Sequence, residues 1–178
     1  TALSVVREKE LGSIVNFYVT PVTAIEFLIG KQLPYVALAM VNYLLLVALA
    51  LTAFQVSMNG SFLAMSLGAL LYVLSATAFG LLASVFMRSQ VSALFATAIG
   101  TILPAIQFSG LINPVSSLEG MGRWIGEVFP TNHFIVICRG VFAKGLGFAD
   151  LWSQLLVLAL VAPFLIGLCA LLLRKQET

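Results

Sequence analysis

The chain has 178 residues, of which 61% are hydrophobic and 9% charged, whereas soluble domains average about 45–50% apolar and about 25% charged. Nine Lys and Arg with seven Asp and Glu cannot cover a soluble surface, which excludes a soluble enzyme. A net charge of +2 with scattered basic residues gives no electrostatic footprint for nucleic acid. The expected fold is an all-α, polytopic helical membrane protein, with membrane lipids as its solvent and no direct nucleic-acid partner.

In chain order, the first stretch is not a span. Arg7, Glu8, Lys9, Glu10, Glu26 and Lys31 surround a short apolar piece, Ile14 to Val19, too brief to cross a bilayer that needs about 20 residues. It is expected to lie at the membrane surface as a helix and turn. Thr20-Pro21 places a capping hydroxyl before a proline suited to a first helical position, and Thr23-Ala24-Ile25-Glu26 reads as a capping box. From Gln32 to Met87 no residue is charged, enough chain for two crossings. The spans are expected at 33–55, 62–86, 91–111 (with Pro104 as a kink or break) and 151–173. Gly68, Ser75, Ala76, Gly80 and Ala83 recur in the second of these at spacings that let helix backbones approach. Residues 112–150, rich in Gly and Pro, form a long external or re-entrant segment, and 174–178 a tail. Within that segment Phe129 to Gly145 reads as a helix too short to span, half-inserted with Arg139 and Lys144 reaching toward headgroups. Glu119, Arg123 and Glu127, four residues apart, predict an ion-pair stripe on a short helix over 118–128.

Lys and Arg near the span ends divide unevenly. Arg7, Lys9, Lys31, Arg88, Arg174 and Lys175 fall on one side, and Arg123, Arg139 and Lys144 on the other. By the positive-inside rule both ends of the chain are expected in the cytoplasm, in an inner or plasma membrane. The chain opens on Thr1 without Met or a secretory signal, which points to a piece of a longer protein.

The search for chemistry is mostly negative. No phosphate loop of the GxxxxGK[ST] type occurs, and Lys144 precedes its glycines instead of following them, so no ATPase is expected from this chain. Cys138 and Cys169 have no ligand or CxxC partner and read as packing residues. No metal or other cofactor is implied. Ser109 with His133 is the sole candidate for an intramembrane hydrolase; the more ordinary reading makes Ser109 a hydroxyl satisfying helix backbone beside a proline break, and His133 a capping or surface residue. The predicted spans contain no ionisable group, which argues against a proton or ion relay through them.

Two ordered motifs then carry a resemblance. Arg7-Glu8-Lys9-Glu10-Leu11-Gly12-Ser13, Thr20-Pro21 and Gly30-Lys31 resemble the R-E-[KR]-E-x-G…T-P…G-K signature of ABC-2 type exporter permeases. About a hundred residues on, Gln107-Phe108-Ser109-Gly110, Asn113-Pro114, Phe129-Pro130, His133-Phe134, Arg139-Gly140 and Lys144-Gly145 are similar to that family's F-S-G…P…P…HF…R-G…KG segment. The resemblance spans essentially the whole chain, and Arg7–Tyr35 resembles in particular the membrane part of the ribosome-associated ATPase/permease fusion subgroup.

The resemblance implies an ABC-2 (type V exporter-like) transmembrane domain running from the end of the second span through the sixth. Residues 1–31 would then be the end of the preceding span and a cytoplasmic coupling segment near Gly12–Pro21, and 32–173 the remaining membrane domain. It implies coupling roles for Arg7, Glu8, Glu10, Gly12 and Pro21. It implies an external, re-entrant motif of Ser109, Gly110, Pro114, Pro130, His133, Arg139, Gly140, Lys144 and Gly145. The implied partners are an ATP-binding cassette subunit or fused domain, which would hold ATP and magnesium, and a second permease half. The implied function is the membrane part of an ATP-driven exporter. The alternative is a membrane tether or assembly factor for a ribosome-associated ATPase that moves no cargo.

Overall fold

The computed structural model describes residues 1–10, 23–87, 89–110 and 120–174. Among them, seven helices and no strand are found: α1 (Ala2–Glu10), α2 (Ala24–Thr52), α3 (Phe62–Phe86), α4 (Gln90–Phe108), α5 (Met121–Val128), α6 (Pro130–Lys144) and α7 (Phe148–Arg174). Of these, α2, α3, α4 and α7 are long and apolar enough to cross a membrane. Gly12, Pro21, Arg88, Pro114, Glu119 and Lys175, and with them the expected coupling segment, lie outside the described residues.

Hydroxyl caps start three of the spans. Thr23 Oγ1 accepts from the Glu26 N–H at 3.3 Å while the Thr23 N–H donates to the Glu26 carboxylate at 2.9 Å, completing the capping box read from the sequence. Ser61 accepts from the Ala64 N–H and Ser89 from the Ser92 N–H, each satisfying one donor that the first helical turn leaves without an internal acceptor. Because the Thr23 cap is formed, α2 runs unbroken from Ala24 through Pro34. The helix therefore begins ahead of Leu33, and Glu26 and Lys31 sit in its first turns rather than on a separate surface element. Pro104 likewise does not end α4, which continues to Phe108.

The bundle is organised around α3, which packs most extensively on α7 and also touches α1, α2, α4 and α6. Lipid is as apolar as a leucine side chain, so spans are held by close packing and by polar contacts more than by hydrophobic burial. The small residues of α3 serve that role. A Cβ on Gly68 would stand 3.0 Å from Ile137 and 3.5 Å from Leu155, and one on Gly80 only 2.5 Å from the Thr1 hydroxyl. Two buried clusters result, one at each end. Val47, Met65, Ile137, Val141, Leu151 and Leu158 belong to the first, and Val5, Leu28, Leu81, Val85 and Cys169 to the second. By contrast α2 and α4 leave long apolar faces uncovered, including Leu38, Leu45 and Leu49 on α2 and Val91, Phe95, Ile99 and Ile102 on α4.

α5 and α6 form a hairpin that folds back along α3. Its open end is stapled at the α2–α3 turn, where the Gly60 and Ser61 N–H groups donate to the carbonyls of Val141 and Leu146. Deeper along α3, Tyr72 stacks on Phe134 with ring centroids 4.8 Å apart, and Phe79 meets Phe129 at 5.9 Å. The α5–α6 junction thus lies beside a residue well past the middle of α3. Gly145 ends α6 in the left-handed region, at φ 66°, and the Leu146 N–H closes the turn onto the Gly140 carbonyl at 3.0 Å.

Candidate functional site

The residues singled out in the sequence gather at the two ends of the bundle. At one end is the last turn of α1. Glu8 forms an ion pair with Lys31 of α2, and the Lys31 ammonium also lies 5.6 Å from the centre of the Phe27 ring. Glu10 reaches the first turn of α4, where its carboxylate accepts from the Gln90 backbone N–H at 2.7 Å and from the Gln90 side-chain amide at 2.5 Å. A carboxylate at a helix N-terminus is favoured by the unpaired N–H groups there. These bonds, that from the Gln90 side chain foremost, hold the Glu10 carboxyl below its ordinary range. The two carboxylates of this turn, Glu8 and Glu10, therefore tie one short helix to two different spans.

The Glu10 contact is exposed, where even ion pairs contribute only about 0.2–1 kcal/mol, and the Glu8–Lys31 pair is half-buried; both fix the position of the turn. The firmer link at this end is Gln32, which the sequence reading treated only as a boundary. It is 2% exposed, and its amide donates to the Leu74 carbonyl at 2.8 Å and the Thr77 hydroxyl at 2.7 Å, clamping α2 to α3. Arg7 is exposed and lines a groove of about 1080 Å³ between α1, α2 and the start of α4, together with Glu8, Glu26, Gly30, Lys31 and Tyr35.

At the other end is the hairpin. His133 is buried, contrary to the expectation of a capping or surface residue, because its ring is the pin between three helices. Its Nε2–H donates to the Glu127 carbonyl at the end of α5 (2.8 Å), and its Nδ1 lies 2.5 Å from the side-chain carbonyl oxygen Oε1 of Gln154 on α7. Both ring nitrogens are thereby engaged, and neither is left to activate Ser109. Ser109 itself caps α4 and is fully buried, and its hydroxyl has no hydrogen-bond partner among the described residues. It does not satisfy helix backbone as expected.

The remaining hairpin residues divide by role. Pro130 starts α6 at a first-turn position with no side-chain cap. Gly140 is packed against Leu146 and Leu151, each 3.1 Å from where a Cβ would stand. Arg139 and Lys144 are exposed. Gly110 has φ 78° just after α4. Arg123 bonds Glu127 at 2.8 Å one turn along α5, the predicted ion pair. Beside the α5–α6 junction a cavity of about 250 Å³ is lined by Tyr72, Phe79, Thr101, Ile102 and Pro130 among others. Among the described residues no cluster of His, Cys, Asp and Glu is placed to hold a metal.

Built this way, the chain belongs with the polytopic helical membrane domains, its polar contacts spent on joining helices at their ends. Its sequence places it further. Residues 1–171 match the family described as ABC-2 family transporter protein, and the chain belongs to that family. It is 30% identical over 158 residues to the Probable multidrug ABC transporter permease YbhR of Escherichia coli (strain K12), covering 87% of this chain and 42% of that protein. It is 30% identical over 176 residues to the Probable multidrug ABC transporter permease YbhS of the same strain, covering 99% of this chain and 47% of YbhS. With the Inner membrane transport permease YhhJ, also of that strain, identity is 28% over 177 residues, covering 98% and 47%. The chain thus spans about half the length of the curated relatives it matches. No solved structure matches it. The narrower likeness to the ribosome-associated fusion subgroup rests on Arg7–Tyr35 alone.

Proposed function

We propose that this chain is the membrane-embedded part of an ABC exporter permease, and that the last turn of α1 passes the state of a cytoplasmic ATPase to the spans. The observation that carries the reading is the double attachment of that turn. Glu8 holds α2 through Lys31, and Glu10 holds α4 through Gln90. The expected coupling segment, Gly12–Pro21, follows immediately in the chain. A push on it would reach two spans through short, directional contacts instead of through a flexible linker. A conformational change follows a ligand only where contacts differ between two states, and these two carboxylate contacts can be kept or released as units.

In this reading ATP and magnesium reside in the partner ATPase, as a separate subunit or a fused domain. The Glu10 end faces the cytoplasm, as the basic residues of the sequence favour, and the α5–α6 hairpin enters from the outside. The uncovered faces of α2 and α4 meet a second permease half or lipid. The likeness to YbhR and YbhS, named as probable multidrug permeases, supports drugs as the first cargo class to test.

The direct test reconstitutes the full-length permease with its ATPase in proteoliposomes and follows ATP-dependent movement of a panel of fluorescent hydrophobic dyes. Transport that needs both proteins and ATP is the expected result. A complex that hydrolyses ATP but moves none of the panel, and whose hydrolysis no dye stimulates, would contradict the assignment to drug export.

A further inference from the structure

Two pieces of the first motif, Arg7-Glu8 and Gly30-Lys31, lie more than twenty residues apart in sequence, yet they line one groove. The Glu8–Lys31 pair fixes its walls by holding α1 against α2. Gly30 leaves it open: a Cβ there would meet nothing within 4 Å. The groove sits at the ends of the spans, between the first turns of α2, the last turns of α1 and the start of α4. That is the level at which span ends meet headgroups. Beside these polar groups the groove is lined by Leu3, Phe27, Pro34 and Tyr35. The lining therefore sets apolar and aromatic side chains next to charged ones.

The charges along this groove balance. Arg7 and Lys31 stand against Glu8 and Glu26, and Lys31 and Glu8 satisfy each other. The Arg7 guanidinium has no ion-pair partner among the described residues. Glu26 is exposed, and its bonds to Thr23 use one carboxylate oxygen, Oε2. A fork of N–H donors and a carboxylate facing the same open space call for a ligand that carries both an anionic oxygen group and an N–H cation. An anionic headgroup would use Arg7 and be repelled by Glu26. A headgroup with a quaternary amine would offer Glu26 no hydrogen to accept.

We propose that this groove is a binding site for a zwitterionic, primary-amine phospholipid of the phosphatidylethanolamine type. Arg7 takes its phosphate, Glu26 its ammonium, and the apolar lining of Leu3, Phe27, Pro34 and Tyr35 the start of its acyl chains. The site rests on the spanning of the membrane by these helices and not on their coupling to an ATPase, so it is measured in the permease alone.

The test purifies the full-length permease in detergent without its ATPase. It is incubated with equal amounts of phosphatidylethanolamine, phosphatidylglycerol and phosphatidylcholine, and retained lipid is counted by native mass spectrometry. The wild type is expected to retain phosphatidylethanolamine in preference to the other two. Arg7→Gln and Glu26→Gln should each lower that retention at least five-fold. Gly30→Leu, which puts a branched side chain on the groove wall between Glu26 and Lys31, should lower it as well, while unfolding at the wild-type temperature. Equal retention of all three lipids by the wild type, or undiminished retention in Gly30→Leu, would overturn the proposal. Displacement of the lipid by soluble phosphoethanolamine would assign the site to a small phosphate ester instead. In the assembled transporter, a Gly30→Cys permease that crosslinks to the ATPase would assign the groove to that protein and overturn the lipid site.

Discussion

The two ends of the bundle are joined by different chemistry. At the Glu10 end, Val5 seats α1 in a buried cluster, and the last turn of α1 is tied to α2 and α4 by side-chain carboxylates, Glu8 to Lys31 and Glu10 to Gln90. At the hairpin end, α5 and α6 are held by backbone N–H groups of Gly60 and Ser61, by a buried His133, and by glycines too tight to carry a side chain. The exposed Glu10–Gln90 contact costs little to break and remake, and the Glu8–Lys31 pair is only half-buried. Close backbone packing has no partial state, because a clash of tenths of an ångström moves whole elements. In the proposed coupling the first end would respond and the second stay fixed, as a lever and its anchor would.

The contrast is sharpest in the glycines. A Cβ on Gly60 would meet the Leu146 carbonyl oxygen at 2.6 Å and the Val141 Cα at 2.9 Å, both backbone. Gly60→Val should therefore displace the hairpin and cost at least about 1–3 kcal/mol, the range for overpacking a tight site. Thermal unfolding of the purified permease would show it as a lower transition temperature. Gly30→Ala, at the other end, should leave stability unchanged or slightly raised, since it meets no neighbour and a helical glycine is worse than alanine by about 1 kcal/mol.

Next in size is His133→Phe. It leaves the Glu127 carbonyl and the Gln154 amide without their partner, a loss of about 1–2 kcal/mol for buried hydrogen bonds. Hydrogen exchange should rise in α5 first, with the spans little changed. A uniform change across all helices would place His133 in global stability rather than in pinning the hairpin. Gln32→Leu tests the buried clamp between α2 and α3 and should cost about 0.6–1.7 kcal/mol, as hydrogen bonds between membrane helices do.

The smallest expected effect on stability is at Glu10, with a larger one on function. Its carboxyl titrates below its ordinary range because Gln90 donates two bonds to the ionised form. The folded state therefore binds fewer protons here than the unfolded chain does. The contact is complete above the ordinary carboxylate range and is lost as pH falls through the lowered value. Acidification into that range should loosen the α1–α4 contact in the wild type and have no such effect in Glu10→Gln, read by crosslinking between cysteines introduced on α1 and α4.

Much of this was legible in the sequence. The uncharged run from Gln32 to Met87 placed two spans, and the Thr23–Glu26 box marked a helix start that the structure forms. The spacing of Gly68 and Gly80 marked close packing, because periodicity and caps are local and survive without tertiary information. What did not show was which polar residues join helices. Gln32, Gln90 and Gln154 are ordinary surface residues by composition, and only the fold puts each opposite a carbonyl, a carboxylate or an imidazole. The misjudged burial of His133 has the same cause. Its partners lie on α5 and α7, and the sequence around it gives no sign of them. The capping box placed the start of α2 where the structure has it, and only the apolar stretch from Leu33 was read as the crossing itself.

The central claim is that the last turn of α1 transmits the state of the ATPase to α2 and α4. Its most direct test is the number of cargo molecules exported per ATP hydrolysed, in proteoliposomes carrying the full-length permease and its ATPase, with Glu8→Ala and Glu10→Ala combined. The account predicts continued hydrolysis with at least a ten-fold fall in that ratio. A ratio equal to that of the wild type would contradict it.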